Sequence, residues 1–306
     1  MQKNNKKPAV AFLGTPLFAI PILEKLNKYI EPKLVVTALA DEKAINSPVY
    51  EWALKHKIPV IAPKKISALS FEKDLFDLFI VAAYGQILKE DVLSLPSYGT
   101  LNIHPSLLPK YRGASPIQSC IINGERETGV TIIIADREID HGPILAQEKI
   151  TIEDSDDSNS LSEKLSLLGG ELLIKALPKY LEGGLKPVEQ DHSQATFTKL
   201  LRREDGKINW REKAEKIERL VRGYKIWPTV WTEWNGVRLK IYRGYIGKET
   251  DSEPGTFFKT KDGNLAVAAS DKFFIVSELQ PAGKTIMNAQ AFINGYGKNL
   301  LLADDV

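Results

Sequence analysis

The sequence predicts an α/β protein in which a mainly parallel sheet precedes a smaller domain of β structure. Short apolar runs alternate with helical patterns over the first half, and hairpin turns recur over residues 229–301. Strands that are apolar on both faces and separated by helices indicate a parallel sheet covered on both sides. The 306 residues also exceed the roughly 250 that one hydrophobic core usually spans, which favours two domains.

The elements of the first half follow from hydrophobic periodicity. Strands are predicted at residues 9–13, 34–39, 60–61, 78–82, 100–103 and 130–135. Helices are predicted at residues 20–28, 49–56, 68–75, 115–123 and 158–181. The last helix has Ser158 or Ser160 as its cap and Gly183-Gly184 as its stop. This pattern is Rossmann-like, and such a sheet places its chemistry at the carboxyl ends of the strands.

The second half of the chain predicts a linker and a compact β domain. We place the first domain at residues 1–185, a linker at 186–205 and the second domain at 206–306. After a predicted helix at residues 211–222, turns such as Asn235-Gly236 and Asp262-Gly263 separate short strands. Repeated hairpin signals of this kind are typical of a small β-barrel.

Composition and charge limit the possible classes of protein. The 43% hydrophobic and 26% charged residues are typical of a globular protein, and the net charge of +2 is too small to predict nucleic-acid binding by itself. No stretch approaches the ~20 apolar residues of a membrane span. The single cysteine, Cys120, excludes an internal disulfide framework and favours a reducing compartment. Pro16 and Pro21 interrupt the apolar run near the N-terminus, which argues against a signal peptide, so we expect a cytoplasmic protein.

The most informative residues lie at the end of the fifth predicted strand. Asn102 and His104 alternate there and run into a proline-bracketed loop, and Asp136 and Asp140 follow in a later loop. An Asn–His–Asp set suits acyl transfer, because the amide and a protonated imidazole can donate hydrogen bonds to an oxyanion while a carboxylate favours the charged imidazole. Asp136 competes with Asp140 for the carboxylate role. His104 alone also fits a structural histidine at a strand end.

Two other kinds of site are disfavoured by the sequence. Gly14-Thr15-Pro16 stands where a dinucleotide-binding loop would lie, but G-x-G-x-x-G is missing, so no nicotinamide cofactor is expected. A metal site built from His104, Asp140 and His141 lacks metal-like spacing, and we expect no metal. His141 adjoins Asp140 in a loop, so its side chain is expected to point elsewhere.

Several segments resemble the formyltransferases that use 10-formyltetrahydrofolate. In the first half the resemblance lies in residues 12–16, Ser106-Leu107-Leu108-Pro109, Tyr111-Arg112-Gly113, residues 127–131 and residues 140–145. The C-terminal third is similar to that of the methionyl-tRNA formyltransferases in Glu204-Asp205-Gly206, Trp227-Pro228 and residues 279–284. These matches cover nearly the whole chain in the right order.

The resemblance implies a formyltransferase catalytic domain and an OB-like β-barrel domain. The expected activity is transfer of the formyl group from 10-formyltetrahydrofolate to the α-amine of methionyl initiator tRNA, for translation initiation. No membrane partner is expected, and we expect a monomer. Asn102, His104 and Asp140 are the implied catalytic residues.

The resemblance also implies which loops bind the folate cosubstrate. Ser106, Leu107, Leu108 and Pro109 match the loop that contacts the folate. The residues expected beside the pterin are Gly85, Gln86, Ile87 and Leu88, although this segment also fits an ordinary strand-to-helix turn.

One segment departs from the family pattern. Family members carry a longer basic loop after the second strand, whereas residues 40–48 here are shorter and hold two acidic residues against a lone lysine. Either tRNA selection depends on Lys199, Arg202, Arg203 and the barrel, or the acceptor differs. The same basic cluster also fits a solvated linker.

Two alternatives to the main hypothesis follow. One is a formyltransferase with a small amine acceptor, such as an amino sugar nucleotide or glycinamide ribonucleotide, although small acceptors do not require the additional β domain. The other is a folate- or RNA-binding protein without catalysis, which the presence of Asn102, His104 and Asp140 together disfavours.

Overall fold

The computed structural model describes residues 7–38, 47–72 and 75–303, which divide into two compact units. The first unit comprises Met1–Pro116, Glu127–Thr151 and Leu161–Thr198, and the second comprises Ile117–Arg126, Ile152–Ser160 and Lys199–Val306. The domain boundaries near residues 185 and 206 stay a prediction. Most of the short acidic segment at residues 40–48, and the predicted strand end at Leu39, lie outside the described residues.

The first unit is built on a mixed sheet with a parallel majority. Its strands are β1 (Val10–Gly14), β2 (Leu34–Val36), β3 (Val60–Ile61), β4 (Leu78–Ala82), β5 (Thr100–His104), β6 (Arg112–Gly113), β7 (Glu127–Ile134), β8 (Ile144–Thr151) and β9 (Phe197–Thr198). The sheet order is β3-β2-β1-β4-β5-β7-β8 within the described residues, and β6 pairs separately with β9. The pairings from β3 to β5 are parallel, whereas β7 runs antiparallel to β5 and β8. The predicted α/β fold with a mainly parallel sheet is confirmed.

Four of the predicted helices begin and end close to the predicted residues, and a further short helix at Glu90–Leu93 was not predicted. They are α1 (Ala19–Tyr29), α2 (Pro48–Lys55), α3 (Glu90–Leu93), α4 (Pro116–Ile122) and α5 (Ser158–Leu181). The cap prediction for α5 was wrong, because Asp157 Oδ1 accepts from the N–H groups of Asn159 and Ser160. The predicted stop is confirmed: Gly183 takes φ +74° and its N–H donates to the carbonyl of Tyr180.

The predicted helix at residues 68–75 was wrong. In the part of this range that the structure describes, which omits residues 73–74, a 3₁₀ turn spans Ala68–Ser70, and Phe71 then takes an extended conformation with φ −122° and ψ 145°. This backbone lets the Phe71 ring pack against Phe79, with ring centroids 4.7 Å apart, and against Phe76 at 6.0 Å. Burial of these aromatic rings outweighs the helical preference of the segment.

The second unit is rich in antiparallel strands. They are β10 (Val230–Trp234), β11 (Val237–Glu249), β12 (Phe257–Thr260), β13 (Leu265–Ala268), β14 (Lys272–Pro281), β15 (Met287–Asn288) and β16 (Leu301–Ala303). Asn235 and Gly236 join β10 to β11 with φ +49° and +75°, as a two-residue hairpin turn with positive φ requires. Helices α6 (Ala214–Gly223) and α7 (Ala289–Tyr296) bury Ile217 and Phe292 in the core of this unit. An OB-like barrel stays a prediction.

Helix length and hydropathy also bear on membrane insertion. Across the described parts of the chain, every helix is too short or too polar to cross a bilayer.

Candidate active site

Strand β5 presents Asn102 and His104 on one face of the sheet. Alternate residues of a strand share a face, and Leu101 and Ile103, which point to the opposite face, are buried in the core. His104 is itself only 5% exposed, at the carboxyl end of the strand. The amide and the imidazole therefore project together at the carboxyl edge of the sheet, where the catalytic residues were predicted to lie.

The carboxylate of Asp140 lies between these two side chains. Its Oδ1 accepts from Asn102 Nδ2 at 3.0 Å and lies 3.5 Å from His104 Nδ1. Its Oδ2 accepts from the backbone N–H of Gly113 at 2.8 Å. Asp140 has φ +51°, a backbone conformation that residues with a side chain seldom adopt. The three side chains predicted as catalytic are brought together.

The second ring nitrogen of His104 is fixed by the Tyr-Arg-Gly segment. His104 Nε2 lies 2.9 Å from the carbonyl oxygen of Tyr111. Because a carbonyl oxygen only accepts, Nε2 carries the proton of this hydrogen bond. Nδ1 therefore faces Asp140, and a second proton there would make the ring an imidazolium beside a carboxylate.

Gly113 is the position where the segment requires a glycine. Its φ is +102°, and a Cβ added there would lie 2.5 Å from the carbonyl oxygen of Thr198. The parallel pairing of β6 with β9 produces this close approach. It also directs the Gly113 N–H toward Asp140.

Asp136 and His141 form a separate pair. Asp136 Oδ2 lies 2.7 Å from His141 Nδ1, and the His141 ring stacks on His192 with centroids 4.1 Å apart. This geometry favours Asp140 over Asp136 as the partner of His104. Among the described residues, no three His, Cys, Asp or Glu side chains are placed to hold a metal ion.

The Ser-Leu-Leu-Pro loop is held by Thr131 on β7. Thr131 Oγ1 donates to the carbonyl of Ser106 at 2.6 Å and accepts from the N–H of Leu108 at 3.1 Å. The Ser106 hydroxyl is buried and donates to the carbonyl of Lys110. The loop is therefore rigid, and Leu107 and Pro109 are its more accessible predicted folate residues.

The second predicted folate segment exposes its backbone and one apolar side chain. Gly85 has φ +91°, and a Cβ added there would meet no atom within 4 Å. The Gln86 side chain is occupied, because its Oε1 accepts from the N–H of Ile66 at 2.9 Å. Ile87 is 72% exposed, whereas Leu88 packs partly against the core.

The residues predicted to bind tRNA differ in their surroundings. Lys199 forms an ion pair with Asp205. The hydrogen bond from Lys199, followed by one from the Arg202 N–H, holds the pKa of the Asp205 carboxyl below its usual value. Arg202 and Arg203 are exposed.

Sequence reasoning missed a buried polar pair behind the site. Arg112 is 3% exposed and Gln190 is 5% exposed, and Arg112 Nη2 donates to Gln190 Oε1 at 2.7 Å. The signal for Arg112 was a charged residue within the Tyr-Arg-Gly segment. Gln190 lies in an irregular polar stretch, where no periodic pattern indicates burial.

Both halves of the chain match models of one enzyme family. The Formyl transferase model matches residues 10–177, and the model of the formyl transferase C-terminal domain matches residues 200–297. A methionyl-tRNA formyltransferase of Roseiflexus castenholzii is 41% identical over 299 residues, which cover 94% of this chain and 95% of the relative. One of Enterococcus faecalis is 41% identical over 309 residues, which cover 97% of this chain and 99% of the relative.

Solved structures share the fold at lower identity. An N-formyltransferase from Helicobacter canadensis, in complex with folinic acid and dTDP-3-aminofucose, has a TM-score of 0.69 at 20% identity, over 90% of this chain and all of the other. HypX from Aquifex aeolicus, in complex with tetrahydrofolic acid, has a TM-score of 0.67 at 16% identity, over 98% of this chain and 49% of the other. At such identities the likeness shows the fold alone.

The fold and the two domain matches define a formyl transferase. This class transfers a one-carbon group, and the family uses formyl-tetrahydrofolate. The chain belongs to the methionyl-tRNA formyltransferase family. The predicted enzyme class is confirmed, and the alternative of a binding protein without catalysis is set aside.

Proposed function

We propose that this protein transfers the formyl group of 10-formyltetrahydrofolate to the α-amine of methionyl initiator tRNA, for translation initiation. The observation that carries the proposal is the convergence of Asn102, His104 and Asp140 at the end of β5. The amine nitrogen attacks the formyl carbon, and a tetrahedral oxyanion forms. The bond from carbon to folate N10 then breaks, N10 takes up a proton and the amine loses one.

Asn102 supplies a donor for the oxyanion. Its amide nitrogen carries two hydrogens, and one of them is used by Asp140 at 3.0 Å. That hydrogen bond fixes the plane of the amide and aims the second hydrogen away from the carboxylate. A donor positioned in this way contributes about 3 kcal/mol to transition-state stabilisation.

His104 and Asp140 act as a charged pair. The Nε2–H of His104 is held by the Tyr111 carbonyl, and the 3.5 Å between Nδ1 and Asp140 Oδ1 leaves room for the Nδ1–H of an imidazolium to be shared with an oxyanion. Asp140 balances the charge of the imidazolium and accepts the amine proton through water. The hydrogen bonds from the Asn102 amide and the Gly113 N–H keep the carboxylate in one place during these steps.

A cationic face on the second unit favours tRNA over a small acceptor. The Arg238 guanidinium lies 4.0 Å from the centroid of the Trp231 ring, and Lys207 Nζ lies 5.4 Å from it. Lys240 is the cross-strand neighbour of Trp231, and the Trp231 indole N–H donates to the carbonyl of Arg203. This strand pair also carries Glu233 opposite Arg238, and the excess of positive charge around it suits the phosphate backbone of RNA.

The decisive assay compares initiator and elongator methionyl-tRNA as acceptors with 10-formyltetrahydrofolate as donor. Formylation of the initiator alone is the expected result, and Asn102→Ala should formylate the same tRNA far more slowly. Transfer to neither tRNA, but to an amino sugar nucleotide or glycinamide ribonucleotide, would instead support the small-acceptor alternative.

A further inference from the structure

Gln190 is a buried side chain whose hydrogen-bonding groups are all used. Its Nε2 donates to the carbonyl of Asp140 at 2.9 Å and to the carbonyl of Gly142 at 2.7 Å. Its Oε1 accepts from Arg112 Nε at 3.2 Å and from Nη2 at 2.7 Å. A primary amide has two hydrogens and two lone pairs, so the side chain is fully satisfied.

These four hydrogen bonds join the two segments that fix the Asp140 carboxylate. One segment is the backbone of Asp140 itself, held at φ +51°. The other is Arg112-Gly113, whose glycine N–H donates to Asp140 Oδ2. A strained backbone conformation persists only where its surroundings hold it, and Gln190 makes the direct contacts to the Asp140 and Gly142 carbonyls.

The chemistry of the site requires an amide here. The Arg112 guanidinium is 3% exposed, and His192 Nδ1 lies 2.9 Å from its Nη2. A glutamate at position 190 would pair with Arg112, but it would place a carboxylate oxygen against the Asp140 and Gly142 carbonyls, where only a donor is tolerated. An apolar residue would leave the guanidinium and both carbonyls without these partners.

We propose that Gln190 is a positioning residue for the formyl-transfer reaction. It holds the Asp140 carboxylate within hydrogen-bonding distance of Asn102 and beside His104, without touching substrate. The proposal rests on the proposed function, because it assumes that Asp140 acts in that reaction. It predicts that Gln190 affects turnover through Asp140 and leaves substrate binding alone.

A double-mutant cycle tests this coupling. Gln190→Glu and Gln190→Met are each expected to lower kcat roughly 10- to 100-fold, with little change in the KM for either substrate. In an Asp140→Asn background, the same changes should lower kcat little further, because the carboxylate they position is already gone. Equal loss in both backgrounds would mean that Gln190 acts only through general stability. Gln194→Met, an exposed change on the same segment, is the matched control.

A second measurement is independent of activity. Hydrogen exchange at the Gly113 amide reports its bond to Asp140 directly. Gln190→Met should accelerate exchange at Gly113 and leave the amides of β1 and β4 protected. Unchanged protection at Gly113 would overturn the positioning role, even if the wild-type protein formylated a different acceptor from the one proposed.

Discussion

Replacement of Asn102 by alanine is the sharpest test of the proposed chemistry. The change removes the amide that donates to Asp140 at 3.0 Å and that we assign to the oxyanion. Loss of one oxyanion donor typically lowers kcat about 10²- to 10³-fold, or ~2.7–4 kcal/mol. The missing hydrogen bond to a charged group is worth another ~1.5–3 kcal/mol in the ground state. Asp140 keeps its hydrogen bond from the Gly113 N–H, so the free energy of unfolding should fall by less than this ground-state contribution.

The assay separates the two effects. Steady-state kcat and KM should be measured with saturating methionyl-tRNA, and folate affinity and thermal unfolding should be measured on the same samples. Because the oxyanion exists only in the transition state and the intermediate, kcat should fall while folate binding stays near the wild-type value. Asn102→Asp retains the shape but puts a second carboxylate beside Asp140, and it should be at least as slow. Near-wild-type kcat in Asn102→Ala would refute the oxyanion role.

Three further predictions concern the rest of the molecule. Arg202→Gln with Arg203→Gln should raise the KM for tRNA and reduce the slope of its salt dependence by about one for each phosphate that is no longer neutralised; an unchanged slope would leave both residues as a solvated linker. Because the hydrogen bond from Lys199 lowers the pKa of the Asp205 carboxyl, this pair stabilises the folded protein at pH values above the unfolded-state pKa of about 3.9. The stabilisation is lost as the pH falls through the lower folded-state pKa. The urea midpoints of wild type and Asp205→Asn should therefore converge as the solution is acidified below about pH 4. Gly113→Ala should destabilise the fold by at least about 1–2 kcal/mol and lower kcat, because the new Cβ meets a backbone oxygen at positive φ; wild-type unfolding and turnover would contradict this.

The sequence predicted what local periodicity encodes. Alternation along β5 placed Asn102 and His104 on one face, and the structure confirms that placement. Strand β8 was not among the predicted strands, because Gln147 and Lys149 alternate with half-buried positions and resemble a polar loop. The packing of Phe71 on Phe79, which ends the 3₁₀ turn, is likewise a tertiary contact, and a short stretch of sequence does not predict it.

The parts of the site that the sequence did not predict depend on contacts between residues that are distant along the chain. Asp140 was chosen over Asp136 through a family resemblance, and only the structure shows its two hydrogen-bond donors and the adjacent His104 ring. Gln190 reaches Asp140 across fifty positions of chain, and Gly113 meets Thr198 through the β6–β9 pairing. Side-chain hydrogen bonds also occupy Gln86 and Ser106, which the resemblance had assigned to folate contact.

The interleaving of the two units has a consequence for how the protein is made. Ile122 packs into the core formed by the C-terminal third, Gly223 lies against Ile122, and Arg222 donates to the carbonyl of Asp156 at 2.8 Å. A ribosome therefore releases residues 117–126 and 152–160 long before the strands they pack with exist. Neither unit is one continuous stretch of gene, so exchanging the C-terminal third between relatives would replace only part of a core. A protease cut after residue 199 would nick the chain without freeing a complete second unit.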